Sequence, residues 1–175
     1  MTPRIPRDLD VRPPTLKDAP GMAALMVRGN ATYREWAPRF WRPPGVGRTQ
    51  SQWILRLRDE ERWTRIAVGA DEGLVALASW RPAGEHGAEG APAPGVGYVS
   101  HLYVDPARCG HGIGRGLLAH AEDAMRALGN AAAMLWTPTG ARARGFYERC
   151  GWRRDGRERW STELQLPMVG YAKVL

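Results

Sequence analysis

Cysteine is scarce in this 175-residue chain. Cys109 and Cys150 are the only two, and neither has a second Cys or a His pair at ligand spacing. The sequence therefore offers no zinc site and no disulfide framework. His86, His101, His111 and His120 are scattered in the same way, and no metal site is expected. No run of about 18 apolar residues occurs, which excludes a membrane-spanning helix. Residues 1–11 are basic and proline-containing but lack the apolar segment of a secretory signal. A soluble, reduced, cytoplasmic protein is the expectation. Lysine is nearly absent too: Lys17 and Lys173 stand among cations that are otherwise arginine.

What is present suits one domain. Hydrophobic residues make up 43% of the chain. A chain of roughly 150 residues can bury close to 70% of its unfolded surface, so a full core needs no metal or disulfide. The formal net charge is +7 and the pI about 10.1. The arginines run along the whole chain rather than gathering in a tail. That charge reads as a dispersed basic surface able to attract an anionic small molecule, and nucleic acid is not expected as a partner. Residues 1–175 are expected to form a single domain, with a flexible N-terminus at 1–8. A mobile loop is expected at 82–95, where Gly, Ala, Pro and Glu dominate.

Hydrophobic spacing supplies the elements. Leu9 and Val11 alternate with charged neighbours, which predicts a first strand. Asp18 and Pro20 open a helix with Met22, Leu25, Met26 and Gly29 on one face. After an irregular stretch over 33–47, a second helix is predicted at 51–61, with Trp53, Ile54 and Leu57 inward. Strands at 65–70 and 74–80 flank an Asp71-Glu72-Gly73 turn, and a third spans 96–104. Ile113, Leu117, Ala121, Ala124, Met125 and Leu128 mark a strong amphipathic helix, with a Glu122–Arg126 pair on it and Gly129 at its end. A strand at 132–137, a helix at 141–149 stopped by Gly151, and strands at 159–166 and 169–175 with a turn at Pro167 complete the chain. The order is β-α-α-β-β-β-α-β-α-β-β. The fold class is α/β of the α+β kind: a mixed, largely antiparallel sheet with helices on both faces.

The chemistry concentrates in Cys109-Gly110-His111-Gly112-Ile113-Gly114-Arg115-Gly116, between a strand and the strongest helix. Alternate glycines let successive N–H groups converge, and the helix behind them adds its unpaired amides and positive dipole end. That arrangement suits a phosphate or pyrophosphate, with Arg108 and Arg115 adding charge. The spacing meets neither the Walker loop nor G-x-G-x-x-G.

Leu102-Tyr103-Val104-Asp105-Pro106 followed by Gly110-His111-Gly112-Ile113-Gly114 resembles the acetyl-CoA signature of the GCN5-related N-acetyltransferases. Arg142-Ala143-Arg144-Gly145-Phe146-Tyr147-Glu148-Arg149-Cys150-Gly151-Trp152 is similar to that family's closing motif. The resemblance implies the acyl-CoA N-acyltransferase fold and acetyl-CoA as co-substrate. It also implies transfer of the acetyl group to a primary amine of a small molecule or protein, directly in a ternary complex. By position it assigns Leu102, Tyr103 and Val104 to the pantetheine arm. Cys109, Gly110, His111, Gly112, Ile113, Gly114 and Arg115 fall to the pyrophosphate. Tyr147 takes the general-acid role on the departing thiolate, which suits a phenol.

The sequence departs from the family at three places. Cys109 stands where Gln or Arg is common; a helix N-terminus behind it could lower its thiol pKa, but it reads as a small loop residue. Gly140 replaces an Asn. Tyr98 occupies the position of the strand Glu that many relatives use as base. His101 has the better pKa for that work, although simple alternation puts it on the face opposite Tyr98. A water-relayed proton, or an acceptor that arrives neutral, stays open. The acceptor amine is unidentified, and the segments 36–47 and 160–170, with Trp36, Trp41, Trp53 and Trp63, are the candidates to line its pocket or a homodimer face. A non-catalytic acyl-CoA-binding or sensory module is the alternative reading.

Overall fold

The computed structural model describes residues 5–83 and 94–175. Seven strands form one sheet in the order β1-β2-β3-β4-β5-β7-β6. They are β1 (Leu9–Arg12), β2 (Trp63–Gly69), β3 (Gly73–Pro82), β4 (Val96–Val104), β5 (Ala132–Pro138), β6 (Arg153–Ser161) and β7 (Leu166–Val174). Only β4 and β5 run parallel; every other neighbouring pair is antiparallel. A parallel pair needs a crossover, and helix α3 (Ile113–Ala127) supplies it. The expected order of elements and the mixed, largely antiparallel sheet are what the chain adopts.

The sheet separates two cores. On one face α1 (Ala19–Ala31) buries Met22, Leu25 and Met26, and α2 (Val46–Arg56) buries Trp53, all against Ile66 and Leu77. On the other, α3 lays Ile113, Leu117, Leu118, Ala121 and Met125 on the strands, joined by Tyr147 of α4 (Ala143–Arg149). Burying one such Leu or Met side chain stabilises the fold by about 1.5–3 kcal/mol.

Several expectations are corrected. Helix α2 begins at Val46 rather than 51, because Gly45 in an extended conformation lets the helix start immediately after Pro43-Pro44. Glu122 does not pair with Arg126: it is buried, accepting from Trp152 Nε1 at 2.8 Å and Lys173 Nζ at 2.6 Å, and Arg126 turns to Asp123 at 2.6 Å. Strand β6 runs from Arg153 instead of 159, and Pro167 lies inside β7 opposite Trp160. The β6–β7 turn is 162–165, where Gln165 takes a φ of 54°. Ile5 packs into the α3-side core and against Gly116, and Leu9 N donates to Pro6 O, so residues 5–8 of the expected loose N-terminus are laid on the fold. The loop expected at 82–95 falls mostly outside the described residues. Among the described residues, no helix is long and apolar enough to cross a membrane, and no group of three acidic, His or Cys side chains could hold a metal.

Candidate active site

Strands β4 and β5 pair only from Val96↔Ala132 to Val99↔Leu135. Beyond that β4 continues to Val104, still paired with β3 on its other edge. A bulge at Ser100 causes the parting: Trp80 faces Val99, whereas Ser79 faces His101, so β4 carries one extra residue. Bulges bend a strand and sharpen its twist. The β5-side edge of β4 from Ser100 onward is thereby left with backbone groups that no strand pairs.

A cleft of about 730 Å³ opens along this edge. Leu102, Tyr103 and Val104 line it, followed by Cys109, Gly110, Gly112, Ile113, Gly114 and Arg115, with Phe146 and Tyr147 on the α4 side. Nine of the ten residues expected to hold a cofactor, and the expected acid, thus come together. His111 is the exception: it is exposed and turns its Nδ1 back toward the carbonyls of Arg108 and Cys109 at 3.2 and 3.1 Å.

The glycines divide the labour. Gly110 and Gly112 adopt φ of 87° and 81°, a left-handed conformation that other residues take at a cost. Gly114 and Gly116 admit close neighbours: a Cβ on Gly114 would stand 3.1 Å from Val104 Cγ2, and one on Gly116 would strike Ile5. Gly112 caps α3, and Gly116 N is the first amide to bond back, to Gly112 O at 2.9 Å. The amides of Ile113, Gly114 and Arg115 are left for something outside the helix. Arg108 is held by Asp8 at 3.0 Å and by Glu72, and Arg115 and Arg149 also line the cleft. The Cys109 thiol is raised, by partial burial first and Asp105 next, not lowered by the helix end.

Tyr147 is buried, its ring packed on Phe146, Trp152 and Tyr171 at centroid distances of 5.3, 6.3 and 6.1 Å. Burial pushes its pKa well up, with Tyr33, Cys150 and Tyr98 adding to it. It therefore keeps its proton at any working pH.

The two base candidates lie elsewhere. Neither Tyr98 nor His101 lines the cleft. Because of the bulge they share a face, contrary to the alternation argument: Tyr98 packs with Ala83, Met134 and Trp136, and His101 stacks on Trp53 of α2 at 5.0 Å. Burial, then Arg56 and Arg62, hold His101 well below the usual imidazole range, which makes it a weak base. Burial raises Tyr98. Tyr103 spends its side chain on structure: its hydroxyl donates to Asn30 Oδ1 at 2.8 Å and its ring rests on Gly29.

Two further features lie in or beside the segments 36–47 and 160–170, and were not foreseen residue by residue. Glu163, in the β6–β7 turn, accepts from Arg56 Nη2 at 3.0 Å, and its charge is felt by both Tyr98 and Tyr103. The segment after α1 reaches across the cleft: Arg142 meets Glu35 at 2.7 Å, Trp36 lies on Gly140, and Trp41 Nε1 donates to Leu164 O at 2.6 Å. Gly140 is thereby explained, since a Cβ there would overlap the Trp36 ring. The tryptophans at 36 and 41 were a weak pointer, and Glu163 falls in the segment 160–170 expected to line the acceptor pocket, although it was not singled out.

The model of the acetyltransferase (GNAT) family matches residues 30–152. No curated protein matches the sequence closely. Solved structures do match the fold. A PaiA N-acetyltransferase from Thermoplasma acidophilum, in complex with coenzyme A, has 13% identity and a TM-score of 0.71 over 95% of this chain and 99% of its own. A ribosomal-protein-alanine N-acetyltransferase from Brucella melitensis has 19% identity and a TM-score of 0.67, covering 95% and 99%. A spermidine N-acetyltransferase chimera from Vibrio cholerae has 16% identity and 0.65, covering 95% and 95%.

Proposed function

The chain belongs to the acetyltransferase (GNAT) family, and from that premise we propose that it transfers an acetyl group from acetyl-CoA to an amine, directly in a ternary complex. The observation that carries this reading is the joining of three things in one cleft: the unpaired edge of β4, the Gly110–Gly112 turn with the free amides of α3, and the buried phenol of Tyr147. The residues fit acetyl-CoA. An open strand edge suits an amide-bearing arm, left-handed glycines ahead of a helix suit a pyrophosphate, and the volume lies within the usual range for ligand clefts.

Each residue then has work to do. The β4 edge positions the thioester and offers N–H groups to the developing oxyanion. Tyr147 donates its proton to the leaving thiolate. Its raised pKa does not forbid this, because the same dry surroundings disfavour a thiolate. An ammonium has no lone pair, so the acceptor must lose a proton. Glu163, held by Arg56 just outside the lining of the cleft, receives it through water, in place of the strand Glu that Tyr98 replaces. The Gly140 departure that had favoured a non-catalytic module is accounted for by Trp36.

Calorimetry with acetyl-CoA tests the reading beside Gly112→Asp, which strains a left-handed position and sets a carboxylate at the anion-binding helix end. Low-micromolar affinity, weakened about 100-fold or more in a variant with an unchanged circular dichroism spectrum, is expected. A wild type that gives neither heat nor thermal stabilisation with acetyl-CoA would sink it. CoA release with any amine then excludes the binding-module alternative.

A further inference from the structure

Three aromatic side chains gather in the segment after α1. A short 3-10 turn over Thr32–Glu35 ends at Trp36, and residues three apart in such a turn fall on one side. Tyr33 and Trp36 are such a pair: Trp36 N and Ala37 N both donate to Tyr33 O, at 3.1 and 2.7 Å, and the two rings stand 5.4 Å apart. The Trp41 ring comes within 6.1 Å of Tyr33. This row is pinned at both ends. Trp36 lies on Gly140, ahead of α4, and Trp41 Nε1 donates at 2.6 Å to the carbonyl of Leu164, the residue after Glu163. Tyr33 and Trp36 line the same cleft as Tyr147, while Trp41 is buried.

The charges beside the row are answered within the chain. Among the described residues lining the cleft, Glu35 is the one carboxylate, and Arg142 holds it at 2.7 Å. Arg108 is held by Asp8 and Glu72, and Arg115 follows the glycine turn, where the anionic cofactor takes it up. A second ammonium on the acceptor would therefore meet no free carboxylate in the cleft, and an unpaired charge is costly to bury. A carboxylate on the acceptor would have to displace Glu35 from Arg142. What the row does offer is ring surface, the side-chain material that contributes most apolar area per residue.

We propose that Tyr33 and Trp36 seat the body of the acceptor, and that the acceptor is a monoamine carrying a flat aromatic ring, an arylalkylamine. The inference rests on the acetyltransferase reading above, which sets the acceptor nitrogen between the acid Tyr147 and the water that leads to Glu163. The row joins those two places, since Trp36 stands over the approach to α4 and Trp41 reaches the turn that carries Glu163. An acceptor ring seated there gains offset or edge-to-face contacts with two aromatic side chains. Its ammonium, until it gives up a proton, is attracted to the same ring faces. Tyr33 and Trp36 thus determine specificity, and the proton-handling groups do not.

The test begins with the wild type. CoA release is followed with acetyl-CoA and phenethylamine, tryptamine, n-butylamine, spermidine or L-phenylalanine. Phenethylamine and tryptamine should exceed n-butylamine in kcat/KM by about 30-fold or more, and spermidine and L-phenylalanine by about 10-fold or more. Trp36→Ala, checked by circular dichroism, should raise KM for phenethylamine about 10-fold with acetyl-CoA affinity within about threefold of wild type, and Trp36→Phe should recover most of that loss. Equal losses for phenethylamine and n-butylamine in Trp36→Ala would reduce Trp36 to a support of the fold and overturn the proposal. So would n-butylamine, spermidine or L-phenylalanine used as well as the aromatic amines, or aromatic amines that give no CoA release from a chain that binds acetyl-CoA; each leaves the acetyltransferase reading standing. A chain that binds no acetyl-CoA overturns both readings.

Discussion

One wall of the cleft is contiguous backbone, and the other is side chains drawn from separated parts of the chain. On the first, the end of β4, the glycine turn and the start of α3 follow one another over a short stretch, and their useful groups are mostly amides. On the second, Tyr33, Glu35 and Trp36 come from the segment after α1, and Arg142, Phe146 and Tyr147 from α4 and the residue before it. Backbone recognition tolerates sequence change provided that the φ angles survive. Side-chain recognition can be rewritten one residue at a time.

The sharpest way to break the comparison is to remove the two proton-handling groups, Tyr147 on the side-chain wall and Glu163 just outside the cleft. Tyr147→Phe deletes a hydroxyl from a side chain that is only 7% exposed, where water cannot take its place. A fall in kcat of about 1,000-fold is expected, with acetyl-CoA affinity within about threefold of wild type. An unchanged kcat would remove Tyr147 from the chemistry. Glu163→Gln should cost less, about 100-fold, because its partly exposed position lets solvent share the work. That deficit should shrink as pH rises toward the amine's own pKa, since the acceptor then arrives neutral. A pH-independent deficit would assign Glu163 to positioning alone.

Next in size is the contact that joins the two parts of the side-chain wall. Gly140→Asn restores a common family residue but drives its Cβ into Trp36. Overpacking of this kind costs about 1–3 kcal/mol. In a Trp36→Ala background the same change should cost less than about 0.5 kcal/mol, giving a coupling of 1 kcal/mol or more in a urea-unfolding cycle. Additive costs would mean that Gly140 is glycine for some other reason.

Legibility in the sequence follows the same division. The glycine loop could be read because its function is local: spacing, helix start and strand end are neighbours in the chain. The helices α1 and α3 could be read because their apolar faces repeat. The bulge at Ser100 could not, because alternation carries no mark of an inserted residue, and so His101 was placed on the wrong face relative to Tyr98. Strand β6 was misplaced because it is an edge strand with no buried residue, broken by Gly156 at φ 85° and a register shift near it. Glu122 looked like a surface partner for Arg126 because its true partners, Trp152 and Lys173, lie far along the chain. The Arg56–Glu163 pair was invisible for the same reason, in a chain where arginine is everywhere.

The smallest effect expected is at the root of the second wall. Helix α1 leads into the segment that carries Tyr33, Trp36 and Trp41, and Asp18 immediately precedes it, its side chain bonding back to Arg12 and Thr15 rather than capping α1. That carboxylate accepts from Arg12 Nη2 at 2.8 Å and Nη1 at 3.0 Å, and from Thr15 N at 2.7 Å. The Arg12 bond is the main reason its pKa falls from 3.8 to about 2. A carboxylate depressed by folding stabilises the native state fully above its unfolded pKa, and that contribution is lost as pH drops through the folded value. Asp18→Asn should therefore lower stability by roughly 1–2 kcal/mol at pH 7, and the gap to wild type should narrow between about pH 4 and pH 2. Urea unfolding at pH 7 and pH 3 measures both. If α1 anchors only the second wall, the variant raises KM for the acceptor and leaves acetyl-CoA affinity alone. Equal losses on both substrates would mean that the two walls are mechanically one, and that the division drawn between them holds for recognition but not for rigidity.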